Sequence, residues 1–284
     1  EEFMRRHTWV AAAAVVIGSI GSWAGADIVF RDGITNDYVT NYDGTQDTDV
    51  FQTVGTSLQD KNYGGITTLN AVNNTASGRR RFILSFDLSS LTGQGLTVQS
   101  ATLALTKVPA AVVVEGLTAP NVVSALDISA ANAGWLQGRG SGTDVLTGES
   151  TSIHRAYPDV PWASGSNLGT GAQAALDFNG NTADATGEYW RTDPAGTQGI
   201  FNLPASIVQG WIDDPSSNAG LFFSTSSDAV NGVLTSPTVQ FASSEHPIAV
   251  WRPTLTIVVP EPATAGVLGS AAVMLLVVRR RAAR

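Results

Sequence analysis

Apolar residues in this chain return at every second position, and no cysteine is present to tie together the segments that carry them. Phe82, Leu84 and Phe86 alternate with Arg81, Ile83, Ser85 and Asp87. Leu103 and Leu105 alternate with Thr102, Ala104 and Thr106, and Leu255, Ile257 and Val259 alternate with Thr254, Thr256 and Val258. Side chains two apart share one face of an extended strand, so each segment offers an apolar face to a partner sheet. Shorter runs of the same kind span Thr48 to Val54, Thr67 to Val72, Ala111 to Glu115, Val122 to Ile128, Ala219 to Thr225 and Thr238 to Phe241. Clusters of Gly, Asn, Asp, Ser and Thr separate them, and Asp32-Gly33, Asp43-Gly44, Asn179-Gly180 and Asn231-Gly232 predict tight turns. The pattern predicts an all-β sandwich of antiparallel strands. One segment departs from it: Ile207, Val208, Trp211 and Ile212 fall on one helical face, and Pro204 suits the first turn. A short helix is therefore expected over Pro204 to Ile212. Without disulfides, stability must come from burial in one sizeable core.

The two ends follow a different rule. Met4-Arg5-Arg6-His7 is a short basic start, Thr8 to Ile20 is almost wholly apolar, and Ala24-Gly25-Ala26 supplies the small residues at which a signal peptidase cuts. Residues 1–26 read as a short extension plus a signal peptide, with Ala24 and Ala26 at the cleavage site. At the other end Pro260, Glu261 and Pro262 break regular structure ahead of a small and apolar run from Ala263 to Val278, closed by Arg279, Arg280, Arg281 and Arg284. The run is slightly short for a stable span of about 17 to 25 residues, which favours tilted or temporary insertion in the inner membrane with the arginines held inside. This three-part tail resembles the PEP-CTERM sorting signal of Gram-negative bacteria. The resemblance implies that residues 260–284 are an address recognised by an exosortase-type membrane protease, and that the protein is exported to the cell surface or beyond. An ordinary tail anchor is the alternative.

Between Asp27 and Pro262 lie twenty-two acids and ten bases, a formal charge of −12. Such a surface repels phosphate backbones and no basic stripe compensates, so nucleic acid is excluded as a partner. Two histidines at His154 and His246, and no cysteine, leave no cluster at zinc spacing. No nucleophile elbow, phosphate loop or dinucleotide fingerprint is present. A non-enzymatic role is the expectation, although paired carboxylates leave a lyase or glycosidase open.

Within this stretch, Asp47-Thr48-Asp49-Val50, Asn62-Tyr63-Gly64, the run Arg81-Phe82-Ile83-Leu84-Ser85-Phe86-Asp87-Leu88-Ser89-Ser90-Leu91 and Ser100 to Leu105 stand in the order found in the DNRLRE domain. Trp135 with Gly138, Trp162, Ile207 to Trp211 and Arg252-Pro253-Thr254-Leu255 continue that order. The chain resembles that family over residues 47 to 259, and residues 27–259 are taken as the domain. The resemblance implies a β-jelly roll, an accessory role in secreted and surface proteins and affinity for acidic polysaccharides such as alginate. Two positions depart from the family pattern, where an acid is expected at Gln137 and an aromatic at Ile153.

Sugar rings present apolar C–H faces to aromatic side chains and hydroxyls to planar polar groups. Trp135, Arg155, Tyr157, Trp162 and Trp190, in or near the Gly- and Ser-rich stretch from Gly134 to Thr170, are the candidate carbohydrate-binding residues. For the tryptophans, the competing reading is an anchor that pins the loop to the sandwich. Arg155 suits a uronate carboxylate or a nearby acid such as Asp159. Asp43, Asp47 and Asp49 form an acidic group that would suit a structural calcium, without the spacing of an EF-hand loop; a solvated loop is the alternative. Arg79-Arg80-Arg81 reads as a strand entry with exposed arginines. Together these features lead to an exported, non-catalytic surface or matrix protein that binds or organises polysaccharide, with a purely structural surface protein as the alternative.

Overall fold

The computed structural model describes residues 25–51, 58–74, 78–109, 121–170, 173–180, 183–189, 193–225, 228–230, 233–235 and 238–260. Within them, eleven strands build two antiparallel sheets. In chain order these are β1 (Gly25–Phe30), β2 (Thr45–Phe51), β3 (Thr68–Asn74), β4 (Gly78–Phe86), β5 (Ser100–Thr106) and β6 (Asn121–Asp127). They continue with β7 (Ala185–Tyr189), β8 (Gln198–Leu203), β9 (Leu221–Thr225), β10 (Thr238–Ala242) and β11 (Thr254–Pro260). The four-stranded sheet runs β1-β11-β5-β8. The seven-stranded sheet runs β7-β6-β9-β4-β3-β10, with β2 paired to the free side of β4. Among the described residues the protein is therefore mostly β with a single α-helix, as the alternation predicts.

The alternating residues do what their period requires. Phe82, Leu84 and Phe86 of β4, Leu103 and Leu105 of β5, and Leu255, Ile257 and Val259 of β11 meet in one buried cluster between the sheets. Phe82 stacks on Phe223 with ring centroids 4.5 Å apart, and Phe201 meets Phe223 edge-on at 5.5 Å. The sheets join at one corner, where Val108 N–H donates to Gln240 carbonyl at 2.9 Å and Lys107 bridges to Phe241. The helix α1 (Ala205–Asp213) buries Val208, Trp211 and Ile212 against the same cluster. Pro204 stands one position before the helix, as its cap, instead of in the first turn.

A second apolar cluster lies on the other face of the larger sheet. Val50, Ile83, Ile128, Ala219 and Phe222 point away from the first core and are covered by Trp135, Trp162 and Leu168 from the Gly134 to Thr170 stretch. That stretch has little regular structure: Thr143–Asp144 pairs with Lys61–Asn62, and His154–Ala156 pairs with Val160–Pro161. Strand β4 is thus buried on both faces, and the sequence-based assignment of Ile83 to an outer face is corrected.

Polar side chains hold this covering layer in place. Asn62 uses its full hydrogen-bonding capacity: Oδ1 accepts from Gly64 and Gly140 N–H at 3.1 and 2.6 Å, and Nδ2 donates to the Gln137 and Ser150 carbonyls at 2.7 and 3.1 Å. A Cβ at Gly138 would lie 2.4 Å from the Asn62 amide, so only glycine lets the layer approach this closely. Asp177, with no exposed surface, accepts from Ser164 N–H at 3.0 Å, Gly169 N–H at 2.8 Å and Asn132 Nδ2 at 3.2 Å.

Among the expected Asx-Gly turns, Gly33 adopts a positive φ of 90°. Gly44 does not. It is needed for space, since a Cβ there would lie 2.8 Å from Asp87 Cβ and 2.9 Å from the Tyr42 ring. The expected strand Ala111 to Glu115, the Asn231-Gly232 turn and the part of Thr48 to Val54 beyond Phe51 lie outside the described residues. So do the signal peptide through Ala24, the residues Glu261 and Pro262, and the apolar run 263–278. Among the described residues no helix is long and apolar enough to cross a membrane.

Candidate functional site

Asp43, Asp47 and Asp49 do not form a calcium group. Asp43 is exposed on the loop before β2, whereas Asp47 and Asp49 project from β2 into buried surroundings. Asp47 Oδ2 accepts from Ser244 N–H at 2.6 Å. Asp49 accepts from the Asn70 N–H at 2.9 Å and from Asn70 Nδ2 and Arg80 Nη2, both at 2.7 Å. Each carboxylate closes backbone donors of a neighbouring segment instead of facing a shared cation. Among the described residues no three His, Cys, Asp or Glu side chains converge at metal-holding distance.

Burial pushes the Asp47 carboxyl up to about 8, with the Asp32 and Glu245 charges adding to it and the Ser244 hydrogen bonds opposing it. Burial likewise raises Asp49 to about 6, against the pull of Arg80 and Asn70. Asp49 also explains one arginine of the Arg79-Arg80-Arg81 triplet. Arg80 pairs with Asp49 and lies 4.6 Å from the centre of the Phe51 ring. Arg81 is buried and donates to the Val72 carbonyl at 2.8 Å, and burial lowers it to about 10. The reading of this triplet as exposed is corrected at Arg81.

The loop tryptophans are anchors. Trp162 is 1% exposed and its Nε1 donates to the Thr151 carbonyl at 3.0 Å; Trp135 is 4% exposed and its Nε1 donates to the Ala219 carbonyl at 2.9 Å. Their ring faces belong to the second core, so neither offers a stacking platform, and this expectation is corrected. Arg155 and Tyr157 are half-buried on the covering layer. Arg155 Nη1 donates to the Ala133 carbonyl at 2.6 Å, not to Asp159, and Tyr157 meets His154 edge-on at 5.5 Å. Trp190 lies outside the described residues.

What the covering layer creates instead is a groove at the start of β2. A depression of about 380 Å³ lies where Trp135 and Gly134 face Ser85 to Leu88 and Asn218, and one of about 950 Å³ adjoins it; Gln46 lines both. The larger one has a floor formed by Tyr42, Thr45 and Gln137 and a rim that includes Leu136 and Leu146, which are 53% and 68% exposed. Charged side chains face it from several segments: Asp32, Asp43, Glu149 and Glu245 on one side of the account, Arg139 and Arg252 on the other. Volumes of this order are those of ligand sites.

The floor holds buried polar atoms that the protein itself leaves unused. Tyr42 is 3% exposed and its Oη has no hydrogen-bond partner; Thr45 Oγ1 is in the same condition. Thr45 N–H donates to Asp32 Oδ1 at 3.1 Å, and the Thr45 hydroxyl lies near enough to Asp32 and Tyr42 to ease both groups without itself meeting hydrogen-bond geometry. Burial raises the Tyr42 phenol well above its ordinary range, and the Asp32 and Asp87 charges add to the effect. Burial also raises Asp32, with the Thr45 contacts and Arg252 opposing it.

Gln137 ties the groove to the fold. Its Oε1 accepts from Asp47 N–H at 3.0 Å, and its Nε2 donates to Gly64 carbonyl at 2.6 Å and to Ser244 Oγ and Glu245 Oε1 at 3.3 Å each. Of the groove residues, sequence reading singled out Asp43, Trp135 and Gln137 and missed Asp32, Tyr42, Thr45, Arg139, Glu149, Glu245 and Arg252. Their positions follow no local motif, being spread from one end of the domain to the other. Comparison with protein-family models and with curated proteins found no match to this chain.

Proposed function

We propose that this chain is an exported surface protein whose jelly-roll-like body binds polysaccharide in the groove at the start of β2, without catalysing a reaction. The observation that carries this reading is the pair of adjoining depressions meeting at Gln46. An elongated groove suits a linear polymer. Its exposed leucines match the C–H faces of sugar rings, and its unpartnered floor hydroxyls and charged rim match their hydroxyl groups. The Trp-platform version of the proposal is replaced by this groove, in which Trp135 serves as a wall and not as a stacking face.

The terminal segments support export and surface attachment. Residues 1–26 have the pattern of a signal peptide, and residues 260–284 resemble a PEP-CTERM tail processed by an exosortase-type protease at Pro260, Glu261 and Pro262. Gly25 pairs with Pro260 at one end of the β1–β11 ladder, and Phe30 pairs with Leu255 at the other. Asp32 and Arg252 of the groove lie just beyond that second end. The ladder is roughly 17 Å long at a strand rise of about 3.4 Å per residue. A body held to a bilayer through either terminal segment therefore carries its groove on the far side, facing outward.

The test is retention of the full chain, in a non-ionic polyoxyethylene detergent free of sugar headgroups, on a panel of immobilised polysaccharides, scored also for release of fragments. Retention without fragments supports the proposal. Released fragments would show a lyase or hydrolase, and absence of retention on every polymer would favour a purely structural surface protein.

A further inference from the structure

The larger depression carries four carboxylates, Asp32, Asp43, Glu149 and Glu245, against the two guanidinium groups of Arg139 and Arg252. Among the described residues, the ion pairs join Lys61 to Asp144 and Arg80 to Asp49, so neither arginine neutralises a groove acid directly. Arg252 Nε is engaged by the His246 carbonyl at 2.9 Å. Among the described residues Glu149 Oε2 accepts from Leu146 N–H at 2.9 Å, and Glu245 Oε1 from the Gln137 amide at 3.3 Å. The lining therefore carries more carboxylates than guanidinium groups, with Arg252 acting on Asp32 short of a direct contact, while Tyr42 Oη and Thr45 Oγ1 are buried and unpartnered. Among the described residues the acids do not gather into a metal-holding group; they come to the depression from three separate segments, Asp32 and Asp43, Glu149, and Glu245.

Resting on the polysaccharide reading of this groove, we infer that its ligand is a glycan bearing free ammonium groups, a de-N-acetylated hexosamine polymer, and not a uronate. Ammoniums spaced along such a chain pair with carboxylates from separate segments by charge-assisted hydrogen bonds, above the buried, unpartnered hydroxyls of Tyr42 and Thr45. A uronate polymer would bring its own carboxylates to a rim already in excess of acid, which costs binding.

The experiment compares three oligosaccharides of equal length by calorimetry with the full chain in the same sugar-free detergent: a glucosamine hexamer, its fully N-acetylated counterpart and a hexuronate. The expected result at about pH 6 and low salt is that the glucosamine hexamer binds roughly tenfold tighter than the N-acetylated one, with the uronate weakest, the scale of one or two partly exposed charge-assisted contacts. Raising the salt to about 0.3 M should shrink that preference by screening. Asp43→Asn combined with Glu245→Gln, both at exposed positions, should remove most of the preference at an unchanged melting temperature. Equal or tighter binding of the N-acetylated or uronate hexamer overturns the inference and leaves the polysaccharide reading standing. Failure of all three, together with every polymer of the panel, overturns both.

Discussion

Trp162→Ala separates an anchor from a ligand platform most directly. The ring is 1% exposed, packs in the second cluster with Trp135, Leu168 and Phe222, and donates from Nε1 to Thr151 carbonyl at 3.0 Å. Truncating a buried Trp costs about 3–5 kcal/mol, and the orphaned carbonyl adds about 1 kcal/mol unless water reaches it. For a domain of this size each kcal/mol lowers the melting temperature by roughly 2–4 °C. The expected loss is therefore roughly 8–24 °C in a thermal melt, with about 4–6 kcal/mol lost in urea titration. If the covering layer opens locally without unfolding the sandwich, the loss appears instead as faster amide exchange at Thr151, Ser152 and Leu168, whose N–H groups donate within that layer. Trp162→Phe should recover most of the packing and forfeit mainly the hydrogen bond. A Trp162→Ala protein with unchanged urea midpoint and unchanged exchange at those amides would refute the second-core assignment.

Asp47 makes stability depend on pH. Its carboxyl sits at about 8 in the folded protein against 3.8 when free, so the folded state keeps a proton that the unfolded state releases. Its contribution is fully present below about pH 4 and lost as pH rises through about 8, a change of order a few kcal/mol at about 1.4 kcal/mol per unit; Asp47→Asn should flatten that slope in urea titrations at acid and alkaline pH. Tyr42→Phe removes a buried hydroxyl without a partner, so the melting temperature should hold or rise slightly while calorimetric affinity for the bound oligosaccharide falls; unaltered affinity would remove Tyr42 from the site. Asp177→Ala strips three donors of their acceptor and should cost about 3 kcal/mol or more, read as a lowered urea midpoint.

Much of the sandwich was legible because one face of β4, β5 and β11 alternates with the other, and burial on one side leaves a period of two in the residues. The helix was legible for the same reason at its own period, through Val208, Trp211 and Ile212. The second core left a weaker trace. Phe82-Ile83-Leu84 in β4 and Leu221-Phe222-Phe223 in β9 are unbroken apolar runs, the mark of strands covered on both faces, yet Ile83 was assigned outward because Arg81 and Ser85 flank it. The acids of β2 misled in the other direction. Asp47 and Asp49 look like solvated ligands in sequence, and what makes them structural, the Ser244 and Asn70 N–H groups, arrives from segments far along the chain. The groove is a product of the same long-range assembly, so no local pattern announces it.

Gln137 shows how the covering layer and the groove depend on each other. Trp135, fixed in the second core, sets the next two residues on the rim, where Leu136 meets solvent and Gln137 turns inward. The Gln137 side chain must accept from Asp47 N–H and donate to the Gly64 carbonyl at once. An acid at this position, the residue expected by resemblance, satisfies the first bond only. Ionised, it opposes the Gly64 oxygen and stands beside Glu245 and the buried Asp47, whose carboxyl already feels Asp32 and Glu245. Protonated, it must hold a proton against solvent at the groove edge. The amide escapes both costs, so its place here follows from burying a carboxyl on β2 beneath an acidic rim: a chain that keeps Asp47, Glu245 and the Gly64 contact together needs a neutral group able to donate and accept between them.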